Sequence, residues 1–581
     1  MNEKHHKAEF CVVGGGMAGT IAAVAAARKG TKTVLVQDRP VLGGNASSEI
    51  RMWICGAHGE NNHETGLLEE ILLENLYRQT YPNYQVWDSV MWEFAHFQDN
   101  LTLILNCSIS QVESSENKVK TVKGWQTTTE TWHTIDADIF ADCTGDGTLG
   151  AMAGAEYRIG REARDQHNES IAPVKSDKKT MGLSCLIQAR ETDRFQEFIA
   201  PKWAYKYNDD GDLPERGHTV TGNQNFWWLE VGGMDDSIRD TEKLRDELLK
   251  IGFGIWDHIK NRGDHGADNW TLDWIGFLPG KRESRRFVGD HILNQNDVEA
   301  EGRHFEDIVA YGGWTMDDHF PEGFYKKEAG TIFHPAPSPY GIPYRCLYSV
   351  NMENLFFAGR NISATHTAMS STRVMATCSV LGQAMGTAAA MAAREKITPR
   401  GVYEKHMSEL KNTLMEDDAY LPFNKRPVNE LTASATVVSS NNSAAGLVRN
   451  GHDRVIGEED NAWIAAMGDE LEFTWKEPVS IGKIRLVFDS DLCRATHNMV
   501  SYYQFDQEPF KVPEEMIKGF RVQTRGSDGT WADCVAEENN YQRLVWVEVG
   551  TTTDGIRFTP DETWGSRKAR VFALDVYPAE G

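Results

Sequence analysis

Three glycines near the N-terminus have the spacing that lets a polypeptide hold a pyrophosphate. Gly14, Gly16 and Gly19 form a G-x-G-x-x-G pattern directly after the apolar run Phe10–Val13. In such a pattern the first glycine permits a tight turn, the second admits a phosphate close to the backbone, and the third lets a helix pack on the strand. The chemistry indicated is dinucleotide binding.

The segments on either side of the glycines predict a βαβ unit. Thr20–Lys29 is mostly alanine, a strong helix former, Gly30 ends the helix, and Val34–Val36 is typical of a second buried strand. The first N–H groups of such a helix have no partner within the helix, and its dipole is positive there. We therefore expect Met17 and Ala18 to contact the phosphates.

The residue that ends the second strand normally binds the ribose. Gln37 occupies this position, eighteen residues after Gly19, and Asp38 follows it. Gln37 can donate or accept a hydrogen bond but carries no charge, and Asp38 could equally be a solvated turn residue. Which of the two binds the ribose stays open.

A second glycine pair, Gly43 and Gly44, favours FAD over NAD. Such a pair lets the chain run beside the pyrophosphate and the ribityl chain, and it resembles the extended FAD-binding motif of glutathione-reductase-type flavoproteins. The stretch that follows passes beneath the flavin in that fold. We therefore expect Asn45, Ser48 and Arg51 to contact the cofactor.

Two further segments should reach the cofactor. The run 101–109 predicts one strand, with Ile109 against the adenine. The apolar run 138–142 predicts a strand that delivers a second turn to the phosphates, formed by Thr144, Gly145 and Asp146.

The last strand of the dinucleotide fold is predicted at Leu355–Ala358, and Gly359 and Arg360 open the turn after it. A long helix is predicted to start at Ser370. Its positive end would stabilise an anionic reduced flavin at the N1–C2 edge. The expected contacts come from Thr372, Arg373 and Val374.

The candidate catalytic residues are His58, His366 and Arg373. Either histidine could take a proton from the substrate, while Arg373 would support the anionic ring. Both histidines also have structural readings, His58 as a hydrogen-bonded loop residue and His366 as a helix cap or loop residue.

The run Lys281–Arg286 contains four basic residues in a chain of net charge −25. As a strand it would present one face to an anionic or polyhydroxylated group, or form surface ion pairs at a sheet edge. Asp317 and His319 lie two residues apart, but no further ligand follows at a defined spacing, so we predict no metal site.

Composition limits the remaining possibilities. A chain of 581 residues is too long for one core, so two to four domains are expected. The strong negative charge argues against nucleic acid and anionic membranes. Nine cysteines without a C-x-x-C pair, no signal peptide and no long apolar run predict a reduced, cytoplasmic location.

The joint set of motifs resembles the bacterial FAD-dependent oxidoreductase family, whose members often lie beside polysaccharide-degrading genes. The motifs that carry the resemblance are Leu42–Glu49, Gly280–Arg286, Ile342–Arg345, Ala358–Ser363 and Ser371–Val374. The resemblance covers about residues 8–420 and implies FAD and a small-molecule substrate, with a carbohydrate as the class suggested. Gln37 departs from the acidic residue usual in FAD folds.

The C-terminal part has a different pattern. Residues 421–429 are typical of a linker, and several alternating segments from residue 430 onward predict strands at sandwich-like spacing. Residues 430–581 resemble a discoidin-like, galactose-binding-type jelly roll, and Trp463 and Trp475 lie in the part that carries this likeness. Such modules bind glycans through aromatic faces or serve as structural or dimerisation domains.

The predicted fold is therefore α/β, with a Rossmann-type FAD-binding domain, an inserted α+β substrate domain and an all-β sandwich. The expected boundaries are residues 1–160 and 326–420 for the FAD-binding domain, 161–325 for the insertion, 421–429 for the linker and 430–581 for the sandwich.

The predicted reaction is hydride transfer between flavin N5 and a small polar substrate, in either direction. Two alternatives stay open: a glycan-binding scaffold with a vestigial nucleotide fold, and a flavoprotein with structural or non-redox FAD. A flavin halogenase is disfavoured because no W-x-W-x-I-P segment is present. The oligomeric state also stays open, a homo-oligomer being one option.

Overall fold

The computed structural model describes residues 2–220, 225–441, 443–494 and 502–579. The chain divides into two compact units. The first comprises Met1–Ala57, Pro82–Leu410 and Asn498–Pro509, and the second comprises His58–Tyr81, Lys411–His497 and Phe510–Gly581. This division differs from the expected boundaries: the insertion belongs to the same unit as the FAD-binding domain, and the second unit begins at Lys411 and includes residues 58–81.

The strands are numbered along the chain. The first unit contains β1 (Asn2–Val13), β2 (Thr33–Val36), β3 (Leu101–Ile104), β4 (Cys107–Ser115), β5 (Lys118–Gln126), β6 (Thr131–Asp142), β7 (Tyr157–Arg158), β8 (Leu183–Ser184), β9 (Ile187–Glu191), β10 (Glu230–Val231), β11 (Trp270–Ile275), β12 (Gly280–Lys281), β13 (Arg286–Phe287), β14 (Ile308–Gly312), β15 (Met316–His319), β16 (Thr331–His334), β17 (Tyr340–Pro343) and β18 (Leu355–Phe357). The second unit contains β19 (Thr436–Ser439), β20 (Trp463–Ala465), β21 (Leu471–Phe488), β22 (Ile517–Arg525), β23 (Trp531–Glu537), β24 (Leu544–Thr563) and β25 (Ala569–Pro578).

The helices follow the same convention. They are α1 (Met17–Arg28), α2 (Leu67–Arg78), α3 (Tyr84–His96), α4 (Thr148–Ala153), α5 (Arg164–His167), α6 (Thr241–Asn261), α7 (Gln295–Glu299), α8 (His366–Thr372), α9 (Met375–Glu395), α10 (Pro399–Lys405), α11 (Met407–Glu416) and α12 (Glu430–Ser434).

The central sheet of the first unit has the order β3-β2-β1-β6-β5-β4, and β18 also pairs with β6. The pairs β1–β2, β2–β3, β1–β6 and β6–β18 are parallel. The carboxyl ends of β1, β6 and β18 therefore meet at one edge, which is where ligands bind in open α/β sheets. The predicted dinucleotide-type α/β core is confirmed.

Two strands differ from the prediction. β1 begins at Asn2, well before the apolar run, because residues 2–8 pair in parallel with β6. The run 101–109 is broken into β3 and β4, since Asn106 adopts a left-handed conformation with φ of 55°. The apolar pattern therefore misses the start of β1, which backbone pairing determines, and the break between β3 and β4, which the conformation of Asn106 determines.

The helix predicted from Ser370 is two helices. Val374 has an extended conformation (φ −65°, ψ 147°) and caps α9, which meets α8 at 93°. α9 packs closely on α1, because a Cβ at Gly382 or Gly386 would lie 2.2 or 2.1 Å from the carbonyl oxygens of Ala18 or Ala22. The two glycines thus allow the helices to pack closely.

Among the described residues, no single helix has both the length and the apolarity needed to cross a membrane. The bent pair α8–α9 meets that criterion only when the two helices are taken together, by length and composition alone.

The insertion in the first unit is an α+β region with short strands. β8, β10 and β12 form one small sheet, and β9 pairs with β11. Residues 181–189 are divided between β8 and β9, and within residues 225–231 only β10 forms a strand. The 21-residue helix α6 closes its core, where buried side chains include Trp228, Leu248, Ile255 and Trp256.

The second unit is an antiparallel β-sandwich, as predicted. β21 pairs with β19 and β24 in its first half and with β25 and β24 in its second half. Register shifts after Thr474 and after Ile481 allow the strand to bend between the two halves. Aromatic rings pack in the core of the sandwich. The ring centroid of Phe488 in β21 lies 5.5 Å from that of Phe520 in β22 and 6.0 Å from that of Phe558 in β24.

Two expectations about the second unit need correction. Trp463 and Trp475 are core residues whose indole N–H groups donate to Ser439 and to the Leu431 carbonyl, so neither offers a face to a glycan. The segment predicted as a linker is built into the unit, because the side chain of Arg426 is buried in ion pairs with Asp453 and Asp575.

Candidate functional site

A cavity of about 360 Å³ lies at the carboxyl ends of β1, β6 and β18 in the first unit. Most of the residues predicted to bind the cofactor line it: Gly14, Gly16, Met17, Ala18, Gln37, Asp38, Gly43, Gly44, Asn45, Ile109, Thr144, Gly145, Asp146, Gly359, Arg360 and Arg373. Segments that are far apart in sequence therefore meet at the predicted edge of the sheet.

The first glycine turn depends on close backbone approach. A Cβ at Gly14 would lie 2.4 Å from the carbonyl carbon and oxygen of Cys143, and one at Gly19 would lie 1.9 Å from the Gly14 oxygen. Gly19 is buried and packs behind the turn, so it is not among the cavity-lining residues. The N–H of Gly43 donates to the Gly15 carbonyl (2.8 Å), which joins the two glycine segments.

The side chain of Gln37 is occupied by the protein. Its Oε1 accepts a hydrogen bond from the Gly15 N–H (2.7 Å), and its Nε2 donates to the Val41 carbonyl (3.2 Å). Asp38 also lines the cavity and is exposed. Gln37 thus holds the glycine turn in place, which leaves Asp38 as the better placed of the two to meet a ribose.

A buried carboxylate that the sequence analysis did not single out shapes the second turn. Asp142 accepts hydrogen bonds from the N–H and hydroxyl of Thr144 and from the N–H of Gly150. Burial raises the pKa of Asp142, although these donors act in the opposite direction. The turn residues Thr144 and Gly145 are therefore fixed from below by an acidic side chain.

Charges at the cavity wall are paired across the fold. Lys281 donates to Asp146 (2.6 Å), and Arg360 lies 3.6 Å from the same carboxylate. Burial alone would raise the pKa of Asp146, but Arg360 and Lys281 outweigh it and hold the pKa below its usual value. Lys281 also lines the cavity, so one residue of the basic run belongs to the site.

The donor set fits a dinucleotide such as FAD. A Cβ at Gly16 would meet no protein atom closer than 3.9 Å, so the backbone there is open to a ligand. No side chain caps the N-terminus of α1, where Met17 and Ala18 line the cavity. In addition, Arg360 Nη1 and Asp146 Oδ1 are buried without a hydrogen-bond partner among the described residues.

Comparison with known proteins decides the family. The profile of the family described as FAD dependent oxidoreductase matches residues 9–414, which is more than half of the chain. The chain belongs to this family. It is an FAD-dependent oxidoreductase, and its cofactor is FAD. No curated protein matches the chain significantly.

Several solved structures resemble about a quarter of this chain. One is the family 32 carbohydrate-binding module of Streptococcus pneumoniae EndoD, at 13% identity, covering 26% of this chain and 98% of the module, with a TM-score of 0.20. Another is the family 32 module of C. perfringens NanJ in complex with galactose, at 11% identity, covering 25% and 95%, with a TM-score of 0.18. A likeness at this level says nothing about what this chain binds.

Besides Gly19, six predicted site residues lie outside the described cavity lining. Ser48 donates its N–H to Asp88, and the guanidinium of Arg51 stacks 4.7 Å from the ring centroid of Trp274 and donates to Gln188. Thr372 and Val374 are buried at the junction of α8 and α9. The remaining two are the histidines His58, which is exposed and belongs to the second unit, and His366.

His366 is held between two carboxylates. Its Nδ1 lies 2.9 Å from Glu283 and its Nε2 lies 3.0 Å from Asp318. Burial would lower the pKa of His366, but Glu283 and Asp318 outweigh it and raise the pKa to about 10. At neutral pH the ring is a charged donor with both nitrogens in use, which argues against its predicted role as a base.

The basic run forms buried ion pairs instead of a strand with two faces. β12 ends at Lys281 and β13 begins at Arg286, so the alternation expected of a strand does not apply. Arg286 donates to Glu283 (2.8 Å) and Glu162 (2.9 Å), and Arg282 donates to Ser184 and the Trp227 carbonyl. These arginines fix the insertion and are not available to a ligand.

Arg373 lies at the cavity wall and is held by Asp317, which His319 contacts in turn. Its Nη2 donates to Asp317 Oδ2 (2.9 Å), and His319 bridges Asp317 (3.2 Å) and Glu230 (2.6 Å). Asp317 and His319 are buried polar residues that position an arginine.

We predict that Gly16→Val reduces the FAD content of the purified protein at least tenfold, because the added side chain would occupy the space open to the pyrophosphate. The fold should persist, since no protein atom lies within reach of the new Cβ. The ratio of flavin to protein absorbance measures the change. Gly446→Val is the control, because Gly446 is open but lies in the second unit. Full FAD content in Gly16→Val would contradict the placement.

We predict that His366→Gln destabilises the protein by about 3–5 kcal/mol near pH 6, because it removes the buried cation that bridges Glu283 and Asp318. The folded-state pKa is raised, so this stabilisation is complete below the unfolded pKa of about 6.5 and is lost as the pH rises through about 10. Urea midpoints at pH 6, 8 and 10 should therefore converge for wild type and variant. His96→Gln, on the exposed face of α3, is the control. If the urea midpoints of wild type and His366→Gln differ by the same amount at all three pH values, the imidazole is not charged as we state.

Proposed function

We propose that this oxidoreductase oxidises a small polar, sugar-derived substrate by hydride transfer to the flavin. The observation that carries the proposal is Arg373, a cation at the cavity wall that the protein holds in one orientation. When bound, FAD would supply at N5 an acceptor for the hydride from the substrate carbon; the hydroxyl proton would pass to water, and the C–O bond would become a carbonyl.

The orientation of Arg373 follows from a charged carboxylate. Burial would raise the pKa of Asp317, but His319 and Arg373 outweigh it and hold the pKa far below its usual value. Asp317 Oδ1 accepts a hydrogen bond from Thr331 (2.5 Å), which fixes the carboxylate further. The ionised Asp317 in turn binds Arg373 through its side chain and its backbone oxygen.

Arg373 keeps donor capacity for a ligand. Its Nε is buried and has no hydrogen-bond partner among the described residues. A preorganised cation beside the redox group stabilises negative charge as it develops, and it costs no reorganisation at that moment. This arrangement supports the role of Arg373 toward an anionic reduced ring or an oxygen of the substrate.

A sugar-derived substrate is supported by the resemblance to a family whose members lie beside polysaccharide-degrading genes. His366 is not retained as the base in this proposal, because it is charged, and the role of His58 stays a prediction.

The test is anaerobic reduction of the bound flavin by a panel of sugars, sugar acids and polyols, followed by stopped-flow absorbance. We expect at least one compound to bleach the long-wave flavin band, and Arg373→Gln to lower the rate constant about 100-fold, the usual cost of losing one preorganised donor. Arg394→Gln, at the exposed end of α9, is the control for a lost guanidinium.

Two results would count against the proposal. If no compound of the panel reduces the flavin although dithionite does, the substrate class is wrong. If Arg373→Gln reduces as fast as wild type, the role of Arg373 is wrong.

A further inference from the structure

Three histidines and one aspartate converge in the insertion of the first unit, away from the cavity. Asp210, His218, His258 and His265 each offer one ligand atom, and these four atoms lie within 4.8 Å of one another. The ring centroids of the three histidines are 4.8–5.3 Å apart. Three imidazoles and a carboxylate directed at one point form a donor set of the kind that binds transition metals.

The distances between ligand atoms are close to those of a tetrahedral site. Zinc bonds of about 2.0–2.1 Å in a tetrahedron place neighbouring ligand atoms about 3.4 Å apart. Here Asp210 Oδ1 lies 3.1 Å from His258 Nε2 and 3.7 Å from His218 Nε2. Shifts of side chains by about an ångström would complete the geometry.

The outer contacts orient the imidazoles as metal sites require. Nδ1 of His258 lies 3.0 Å from the Tyr207 carbonyl, and Nδ1 of His218 lies 3.0 Å from the Arg216 carbonyl. A carbonyl oxygen accepts only from a protonated nitrogen, so both rings carry hydrogen on Nδ1 and turn Nε2 toward Asp210, where a bound metal ion would take the Nε2 lone pair. Ligating histidines in known metal sites are oriented in this way.

The carboxylate also has an outer partner. Arg262 donates to Asp210 Oδ1 (2.7 Å), as residues around a ligating carboxylate commonly do. The side chain of His258 is fully buried, whereas that of Asp210 is 63% exposed. An ion could therefore enter from the surface at Asp210 and be held against the buried histidine.

We propose that Asp210, His218, His258 and His265 bind one divalent transition-metal ion, for which Zn²⁺ has the best match. Four protein ligands leave no open position, so the site is structural and not catalytic. The ion would join the loop 208–218 to the last turns of α6 and to the loop after it.

The position of the site within α6 indicates what the metal does. Thr241 and Glu242, at the first turn of this helix, line the cavity, and His258 lies seventeen residues further on, about 26 Å along the helix axis. The metal is thus too far away to take part in the redox step. It would anchor the helix whose other end forms part of the cavity wall.

The test uses tag-free, FAD-loaded full-length protein, because a histidine tag would bind metal itself. The protein is stripped with a chelator, dialysed against Zn²⁺ and analysed for metal by mass spectrometry. We expect one Zn²⁺ per chain and a higher melting temperature than that of the stripped protein. With Co²⁺ in its place, absorption bands of a tetrahedral site should appear at wavelengths where oxidised flavin does not absorb.

His218→Ala and His265→Ala are the decisive variants, because both side chains are partly exposed and their loss should not prevent folding. Each should weaken Zn²⁺ binding about 100-fold or more, with no change in flavin content. His96→Ala, which removes an exposed histidine from α3, should bind Zn²⁺ as wild type does. A wild-type protein that binds no stoichiometric Zn²⁺, or variants that bind it equally well, would overturn the proposal.

Discussion

The first unit depends on the close approach of two backbone segments at the first glycine turn. Gly14 lies against the backbone of Cys143, and Gly19 lies against the carbonyl of Gly14. Any side chain at either position would push α1 away from β1 or β1 away from the end of β6. Because these contacts are tight, the ends of β1 and β6 lie side by side, and the cavity that receives the dinucleotide forms above them.

Buried charge is the second organising feature, and it determines what reaches the cavity. A buried ion is tolerated only with partners, and the buried Arg286, His319 and His366 each lie against a carboxylate. Arg286 and His366 share Glu283, while Asp317 binds both His319 and Arg373. Most of these charges serve the architecture. Arg373 is the member of the network that also lines the cavity, which is why its orientation carries the proposed chemistry.

The parts of the structure that the sequence predicted are those with local signals. About a dozen consecutive residues suffice to recognise the glycine pattern, the alanine-rich helix and the strand before Gly359. The burial of His366 between two carboxylates could not be predicted, because its partners Glu283 and Asp318 lie 83 and 48 residues away in the sequence. The same holds for Asp142, for the burial of Arg282 and Arg286, and for the four residues of the proposed metal site, which come from three separate segments. The break at Val374 has no local signal, because neither glycine nor proline occurs in residues 370–377.

The central claim is that this chain folds around FAD as its redox cofactor. The most direct measurement is the visible absorption spectrum of the purified protein, before and after acid precipitation. The account predicts the two visible bands of an oxidised flavin, and release of the colour into the supernatant as FAD. A colourless protein that also fails to bind added FAD would contradict it.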